Sequence, residues 1–164
     1  MEQTLDLGEQ LRNVMRRWPT GVSIVTSQYE GVRHGMTVNS LTSISIKPPM
    51  IAVTLAHKTR TYRLVKSSGV FGVTLLSEDQ AHLSDLFAGK ISEDHDRFAG
   101  FETFSLVSGV PFLSGGQGFM DCRVVHTFEM QESTLFVGQV AAVRWQTEGS
   151  PLIYLNRNYH RLEE

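Results

Sequence analysis

The densest group of short hydrogen-bonding side chains in this chain lies between residues 35 and 45. Hydroxyl or amide side chains alternate there with apolar ones, and no charged residue interrupts the run: Thr37, Asn39, Ser40, Thr42, Ser43 and Ser45. Hydroxyl and amide groups, with neighbouring backbone N–H groups, make short hydrogen bonds to anionic oxygen atoms. The pattern favours either a surface that binds an oxygen-rich ligand or a Ser/Thr-rich edge strand or turn that binds no ligand.

A second polar group follows a run of apolar residues at 50–55 and precedes a helix-like segment at 62–67. It combines two cations with two hydroxyls: Lys58, Thr59, Arg60 and Thr61. Thr59 or Thr61 can cap the helix, whose first N–H groups would then point towards a bound anion. Together the two polar groups predict a phosphate site that lacks a glycine-rich loop. The alternative is a basic connector that is exposed to solvent.

The elements that must position these residues are mainly strands. Leu7, Leu11, Val14, Met15 and Trp18 have helical spacing, which predicts an amphipathic helix over about 6–18. Strands are expected at 21–27, 32–46, 50–55, 70–76, 119–128, 135–146 and 151–154, with helices near 62–67 and after the capping pattern at 77–80. A short helix is possible around 94–98. Because the strands do not alternate regularly with helices, the pattern favours an antiparallel barrel over about 20–162.

Composition narrows the class of protein. The chain has 164 residues, of which 41% are hydrophobic, so a single domain over 1–164 is expected. The formal net charge of −2 and the absence of a basic stripe argue against a nucleic-acid-binding surface. Cys122 is the single cysteine and cannot form an internal disulfide, so we expect it to pack as a small apolar group. A cytoplasmic protein without a leader or a membrane span is predicted.

Motifs of common hydrolases and metal enzymes are absent from the sequence. There is no Gly-x-Ser-x-Gly or His-Glu-x-x-His, and the six histidines are dispersed. His95 lies in an acidic stretch at 93–96, for which a solvated turn is more plausible than a cation site. We therefore expect no metal, and we expect difficult chemistry to depend on a bound cofactor.

Several motifs, taken in order, are similar to one family. They are Trp18-Pro19-Thr20-Gly21-Val22, the 34–45 segment beginning His-Gly-Met-Thr-Val-Asn-Ser, Pro48-Pro49, the 71–80 segment Phe-Gly-Val-Thr-Leu-Leu-Ser-Glu-Asp-Gln, Leu86-Phe87-Ala88-Gly89, Arg97-Phe98 and Asn158-Tyr159-His160. Each is weak alone, but their order and spacing are specific. From about Leu11 to Leu162 the chain resembles the flavin reductase-like, FMN-binding split-barrel proteins, the small partners of two-component flavin-dependent monooxygenases.

The resemblance implies a fold and a flavin site. The fold would be mainly β with a few α-helices, an antiparallel Greek-key split β-barrel of the FMN-binding type. Flavin binding is assigned to Thr37, Val38, Asn39, Ser40, Thr42 and Ser43, and its phosphate end to Lys58, Thr59, Arg60 and Thr61. Homodimers are typical of the family, and the N-terminal helix and residues 90–109 are candidate interface elements. Replacing Ser40 or Thr42 with Val should then weaken flavin binding with little effect on folding.

The resemblance also implies an activity. The protein would be an NAD(P)H:flavin oxidoreductase that passes a hydride from nicotinamide C4 to flavin N5 and supplies reduced FMN or FAD to a partner monooxygenase. Alignment of two rings needs no protein acid or base. Tyr159 and His160 match a segment that borders the nicotinamide, where the alternatives are a capping aromatic ring and a surface histidine. Arg60 and Arg157 are candidate partners of the 2′-phosphate if the co-substrate is NADPH.

One segment departs from the family pattern. Many members carry Gly-Asp-His before the penultimate long strand, and that histidine helps to form the nicotinamide site. This chain has Gln131-Glu132-Ser133 there, so Ser133 stands where the histidine would be. The change motivates a second hypothesis, a flavin-retaining electron-transfer or sensor protein with little NAD(P)H activity. A third hypothesis, a barrel that binds a small ligand other than flavin, is supported only by the generic strand pattern.

Overall fold

The computed structural model describes residues 6–89 and 95–162. Within them the chain forms three helices: α1 (Leu7–Met15), α2 (Arg60–Ser68) and α3 (Ala81–Phe87). The strands in the described residues are β1 (Thr20–Gly21), β2 (Ser23–Tyr29), β3 (Val32–Val38), β4 (Thr42–Ile46), β5 (Pro49–Ala56), β6 (Val70–Leu75), β7 (Thr103–Phe104), β8 (Phe112–Leu113), β9 (Gly118–Glu129), β10 (Ser133–Trp145), β11 (Ile153–Leu155) and β12 (Asn158–His160). The mainly β fold class is confirmed.

The main sheet has seven antiparallel strands in the order β3-β2-β6-β9-β10-β5-β4. Its two edge strands, β3 and β4, are consecutive in the chain and are joined by residues 39–41 alone. The sheet must therefore curve until its edges approach each other. Between the edges, however, no β3–β4 ladder forms in the described residues. The result is a barrel that is open along one seam, as the split-barrel prediction requires.

The prediction of one continuous strand over 32–46 was wrong. The chain breaks after β3 and returns as β4 on the opposite edge of the sheet. Thr42 pairs with Ala52, so Ser40 faces Thr54, and there the serine side chain replaces the backbone ladder. Ser40 Oγ donates to the Thr54 carbonyl and accepts from the Thr54 N–H, both at 3.1 Å. The spacing of apolar residues in the sequence does not predict such a side-chain contact, so the break was missed.

The barrel interior is closely packed. Val25, Val53, Phe71 and Val73 are fully buried and form one apolar cluster with Cys122, which is also fully buried. Cys122 therefore packs as a small apolar group, as predicted. Burial raises the pKa of its thiol to about 12, with a smaller contribution from the charge of Asp121. At neutral pH the thiol is protonated.

A second core lies between α3 and the three-stranded sheet β1-β11-β12. Leu83 and Phe87 of α3 pack there against Ile24 and Leu152. Helix α3 begins after residues 77–80, as predicted, but the prediction that these residues cap it was wrong. The Gln80 side chain, at the N-cap position, makes no hydrogen bond to α3. Its Oε1 accepts from the Ser77 N–H and its Nε2 donates to the Ser114 carbonyl. Gln80 thus joins two loops.

Helix α1 begins as predicted, with Asp6 Oδ1 accepting from the Glu9 N–H, but it ends at Met15, three residues before the predicted end. None of its residues is buried. Leu7 and Leu11 are 80% and 59% exposed, so the apolar face of α1 has no cover within the chain. No helix among the described residues has the length and apolar character that crossing a membrane requires.

The 90–109 segment is only partly described. Residues 90–94 lie outside the described part, so the expected short helix at 94–98 is not tested at its start; residues 97–100 form turns. Arg33 on β3 holds Asp96 in a 2.8 Å ion pair, and the same hydrogen bond lowers the pKa of Asp96. This contact anchors the segment that carries Arg97 against the barrel.

Candidate functional site

Strand β3 forms the shared wall of two neighbouring cavities. The first, of about 440 Å³, is named here the Lys58 cavity and is lined by His34, Met36, Thr37, Lys58, Thr59 and Arg97, among others. The second, of about 340 Å³, is named the Tyr159 cavity and is lined by Val38, Asn39, Ser84, Asp85, Tyr154 and Tyr159, among others. Thr37 and Ala88 line both. The two cavities therefore adjoin, and each has a volume typical of small-molecule sites.

The Lys58 cavity is built to attract an anion. Thr59 caps α2, since its Oγ1 accepts from the Tyr62 N–H at 3.3 Å and donates to the Ala56 carbonyl at 2.8 Å. The first N–H groups of a helix have no intrahelical acceptor, and they carry the positive end of the helix dipole. With Lys58 and Thr59 in the cavity wall, the start of α2 offers donors and positive charge together. The choice of cap left open by the sequence falls on Thr59.

Arg97 adds a second cation to this wall. Its side chain is only 4% exposed, and its Nη1 donates to the Gly35 carbonyl at 3.0 Å and to the Phe87 carbonyl at 3.2 Å. The guanidinium thereby fastens β3 to the end of α3 while it lines the Lys58 cavity. A buried cation beside a cavity makes that cavity more favourable for a negatively charged ligand.

Polar contacts to α3 fix the Tyr159 cavity. Thr37 Oγ1 donates to the Ser84 carbonyl at 2.7 Å. The Tyr159 hydroxyl lies 2.8 Å from Ser84 Oγ and 3.1 Å from Asp85 Oδ1. Tyr154 packs against Tyr159 with ring centroids 5.6 Å apart. The cavity thus combines two aromatic rings with a hydrogen-bonded polar wall, a surface suited to a flat heteroaromatic ring.

The structure brings some of the predicted site residues together and separates others. Thr37, Val38, Asn39, Lys58, Thr59 and Tyr159 line the two adjoining cavities. Ser40 is bonded to the backbone of Thr54, and Thr61 is fully buried with its hydroxyl 2.8 Å from His34 Nδ1. Both hydroxyls therefore have partners within the fold.

The remaining predicted residues lie on the surface or in other positions. Thr42 and Ser43 are exposed on the edge strand β4. Arg60 is partly exposed at the start of α2. His160 is exposed on β12, with Nε2 3.3 Å from the Leu155 carbonyl. Roles for these four residues in binding stay predictions.

Ser133 lines a different cavity, of about 500 Å³, between the end of β5 and the β9–β10 connection. Lys58 belongs to the walls of both this cavity and the Lys58 cavity. His57 also lines it, and its Nε2 lies 2.9 Å from Thr134 Oγ1. An imidazole is therefore present beside Ser133, although it comes from the β5–α2 loop.

Sequence reasoning missed several residues that line the cavities. Ser84 and Asp85 come from α3, which the sequence places only as a helix with an apolar face. Tyr154 comes from β11. Arg157, in the turn that follows β11, was predicted only as a candidate partner of the 2′-phosphate, and the structure places it in the wall of the Tyr159 cavity. Arg97 belongs to a quoted motif, but an isolated arginine gives no sign that it will be buried. Only the tertiary fold brings these segments to β3.

The described residues contain no group of three or more His, Cys, Asp or Glu side chains arranged to hold a metal ion. The acidic stretch around His95 lies partly outside them. The site is thus characterised by its cavities, its cations and its aromatic rings.

Comparison with known proteins gives a consistent result. Residues 15–163 match the sequence profile described as the flavin reductase like domain. The chain is 35% identical over 155 residues to the reductase component of an FADH(2)-dependent resorcinol hydroxylase from Rhizobium sp. (strain MTP-10005), covering 93% of this chain and 86% of that protein. It is 33% identical over 157 residues to an NADH-dependent flavin reductase from Rhodococcus sp, covering 93% and 85% respectively.

A solved structure has the same fold. The styrene monooxygenase flavin reductase from Pseudomonas putida S12 superposes with a TM-score of 0.83 at 31% identity, over 94% of this chain and 98% of that one. The similarity therefore covers nearly the whole sequence and nearly the whole fold.

Proposed function

Because this chain belongs to the flavin reductase-like domain family, we propose that it is an oxidoreductase that uses NADH to reduce FMN or FAD. The observation that carries the proposal is the pair of adjoining cavities along β3, one lined by cations and the other by aromatic rings. A flavin mononucleotide has the same division, with a phosphate at one end and a flat ring at the other. The donor set of the site fits this group.

The two ends of the site have distinct roles in this proposal. Lys58, Thr59 and the first N–H groups of α2 would hold the flavin phosphate, and Arg97, which lines the same cavity, would contribute charge. The ring lies towards Val38, Asn39 and the tyrosines of the Tyr159 cavity. Flavin, when bound, supplies the hydride acceptor for the reduced nicotinamide.

The protein's contribution is alignment and exclusion of water. Thr37 and Tyr159 are both tied to α3, so the wall on which two rings would stack is rigid. Holding two reactants in one orientation can supply several kcal/mol of the rate enhancement. No proton has to move through a side chain for this reaction, which agrees with a site whose polar groups are engaged in positioning one another.

The expected product is reduced flavin for a second enzyme. The resorcinol hydroxylase relative is named as a reductase component, which supports a flavin-dependent monooxygenase as the partner of this chain. NADPH in place of NADH, and FAD in place of FMN, are alternatives that the same cavities accommodate. We place the reaction in the cytoplasm, where reduced nicotinamide is available, and treat residues 1–164 as one flavin reductase-like domain.

The test is a steady-state assay with purified protein. With free FMN or FAD, it should oxidise NADH at a rate that saturates with both substrates, followed at 340 nm under anaerobic and aerobic conditions. A yellow protein that retains flavin but does not oxidise NADH or NADPH would instead support the electron-transfer or sensor alternative. Protein with no flavin affinity and no turnover would exclude both.

We also propose that two copies associate through the apolar face of α1. Leu7, Leu11, Val14 and Met15 are exposed on this helix, and a second copy is the occupant that family homodimers favour. By sedimentation velocity the protein should be a dimer, and Leu11→Glu should shift it towards monomer. Glu9→Gln, on the side of α1 opposite Leu11, is the matched control and should stay dimeric. A monomeric wild-type protein would refute the proposal.

A further inference from the structure

A third cavity, named here the α1 cavity, continues from the far end of the Tyr159 cavity. It has a volume of about 250 Å³ and lies between α1 and the β11–β12 hairpin, lined by Arg12, Arg16, Trp18 and Asn156, among others. Asn39, Tyr154 and Arg157 line both this cavity and the Tyr159 cavity, so the two adjoin. The Asn156 N–H donates to the Arg16 carbonyl at 3.0 Å, which holds the hairpin against the end of α1.

The α1 cavity is strongly basic. Three arginines, Arg12, Arg16 and Arg157, line it. Within residues 6–89 and 95–162, none of the three is within ion-pair distance of a carboxylate. Arg16 Nη1 donates to Asn13 Oδ1 at 2.8 Å, which orients the group without neutralising it. Three guanidinium groups around one cavity match a ligand with several phosphate oxygens.

The backbone of Arg157 gives a second, independent indication. Asn156 and Arg157 form the two-residue turn between β11 and β12, with φ of 50° and 66°. Left-handed backbone is favourable for Gly and tolerated by Asn, whereas an arginine Cβ is strained there. Glycine would suit the turn better than arginine does. Strained residues of this kind cluster at ligand sites, and Arg157 lines two cavities.

The orientation of the flavin in the proposed site decides which nucleotide can occupy the α1 cavity. In the proposed function, on which this inference depends, the flavin phosphate lies in the Lys58 cavity, at the opposite end from α1. The adenylate of FAD would extend from that phosphate, away from the α1 cavity. The remaining dinucleotide is the reduced nicotinamide co-substrate, whose nicotinamide must reach the Tyr159 cavity.

We propose that the α1 cavity binds the pyrophosphate and adenosine half of the reduced nicotinamide dinucleotide. Arg16 and Arg157 contact the phosphate oxygens. The Trp18 indole, 65% exposed at the edge of the cavity, provides a flat apolar face for the adenine. These residues set the affinity for the whole co-substrate, while the hydride-donating ring is bound elsewhere.

The experiment compares NADH with reduced nicotinamide riboside, which carries the same hydride-donating ring without phosphate or adenosine. With FMN saturating, Arg16→Gln and Arg157→Gly should each raise the KM for NADH about tenfold with a much smaller change in kcat. The KM for the riboside should change far less, so the ratio of the two KM values is the readout. Arg17→Gln, next to Arg16 but outside the cavity wall, is the matched control and should leave the ratio unchanged.

Arg157→Gly also controls for folding, because glycine suits the turn: its Tm should equal or exceed that of the wild type. An unchanged KM for NADH in both variants, or equal increases for NADH and the riboside, would overturn the proposal. So would a raised KM for FAD with no change for FMN, which would assign the cavity to the flavin adenylate. A wild-type protein that reduces no flavin would instead refute the proposed function itself.

Discussion

Some hydroxyl groups near the cavities make hydrogen bonds within the fold, and others face a ligand site. Ser40 and Thr61 have short contacts with Thr54 and His34, respectively. Thr59 belongs to both groups, because it caps α2 and also lines the Lys58 cavity. The residue type alone does not tell these roles apart, so each needs its own test.

Ser40 is expected to act on stability. In Ser40→Ala, the N–H and the carbonyl of the partly buried Thr54 both lose their serine partner, which should lower the free energy of unfolding by about 1–3 kcal/mol. Urea denaturation measures the change. Ser43→Ala, on the exposed part of β4, is the control and should stay within about 0.5 kcal/mol of the wild type. Equal stability of the two variants would contradict this role.

Lys58 is expected to act on the flavin phosphate. Lys58→Met removes a charge from the cavity wall and should weaken FMN binding by about 1.5–3 kcal/mol, which is roughly a 10- to 150-fold increase in Kd. Riboflavin lacks the phosphate, so its Kd should change little. Fluorescence quenching measures both. Lys47→Met, in the exposed β4–β5 turn, controls for a general loss of charge, and a similar weakening for riboflavin would refute the assignment.

At the scale of elements, α2 has to begin at a fixed point for the Lys58 cavity to exist. Thr59 sets that point through its two hydrogen bonds, and Val65 holds the helix in the barrel core. The left-handed Gly69 ends it, with its N–H donating to the Val65 carbonyl. The helix is therefore fixed at both ends and along one face.

Two substitutions of Thr59 separate the effect of its capping hydroxyl from the effect of its methyl group. Thr59→Ala should destabilise the protein by about 0.5–2 kcal/mol, because the Tyr62 N–H loses its acceptor. Thr59→Ser keeps the hydroxyl and should remain close to the wild type. Thermal denaturation followed by circular dichroism measures both. A serine variant as unstable as the alanine variant would show that the methyl group, and not the cap, is what matters.

Most elements could be predicted from sequence because their signals are local. A threonine cap before α2, Asp6 before α1, and the long strands β9 and β10 all follow from spacing and residue type, although the choice between Thr59 and Thr61 does not. The break between β3 and β4 could not be predicted, since it depends on Ser40 meeting Thr54 across the sheet. Likewise Ser84, Tyr154 and Arg157 enter the site through packing between distant segments.

At the scale of the whole molecule, the barrel core ties stability to pH through Cys122. Its pKa is raised from the ordinary value of 9.0 to about 12, so above pH 9 the unfolded chain releases a proton that the folded protein keeps. The contribution of the buried thiol to the free energy of unfolding is therefore fully present below pH 9 and is lost as the pH rises towards 12. The slope of this loss approaches about 1.4 kcal/mol per pH unit.

A comparison with Cys122→Ala isolates this effect from the titration of lysines and tyrosines. Between pH 8 and pH 11, urea denaturation should show the wild type losing stability more steeply than the variant. The quantity to plot is the difference between the free energies of unfolding of the two proteins at each pH. Parallel curves would mean that the thiol ionises as readily in the folded protein as in the unfolded chain.

Three cavities in a row along one barrel wall also constrain the order of events in turnover. Asn39, Tyr154 and Arg157 separate the α1 cavity from the Tyr159 cavity, and Thr37 and Ala88 separate the latter from the Lys58 cavity. Electron donor and acceptor therefore need not take turns in one space, and a ternary complex can form. Double-reciprocal plots at several flavin concentrations should intersect; parallel lines would signify a substituted-enzyme cycle, in which the oxidised donor leaves before the acceptor arrives.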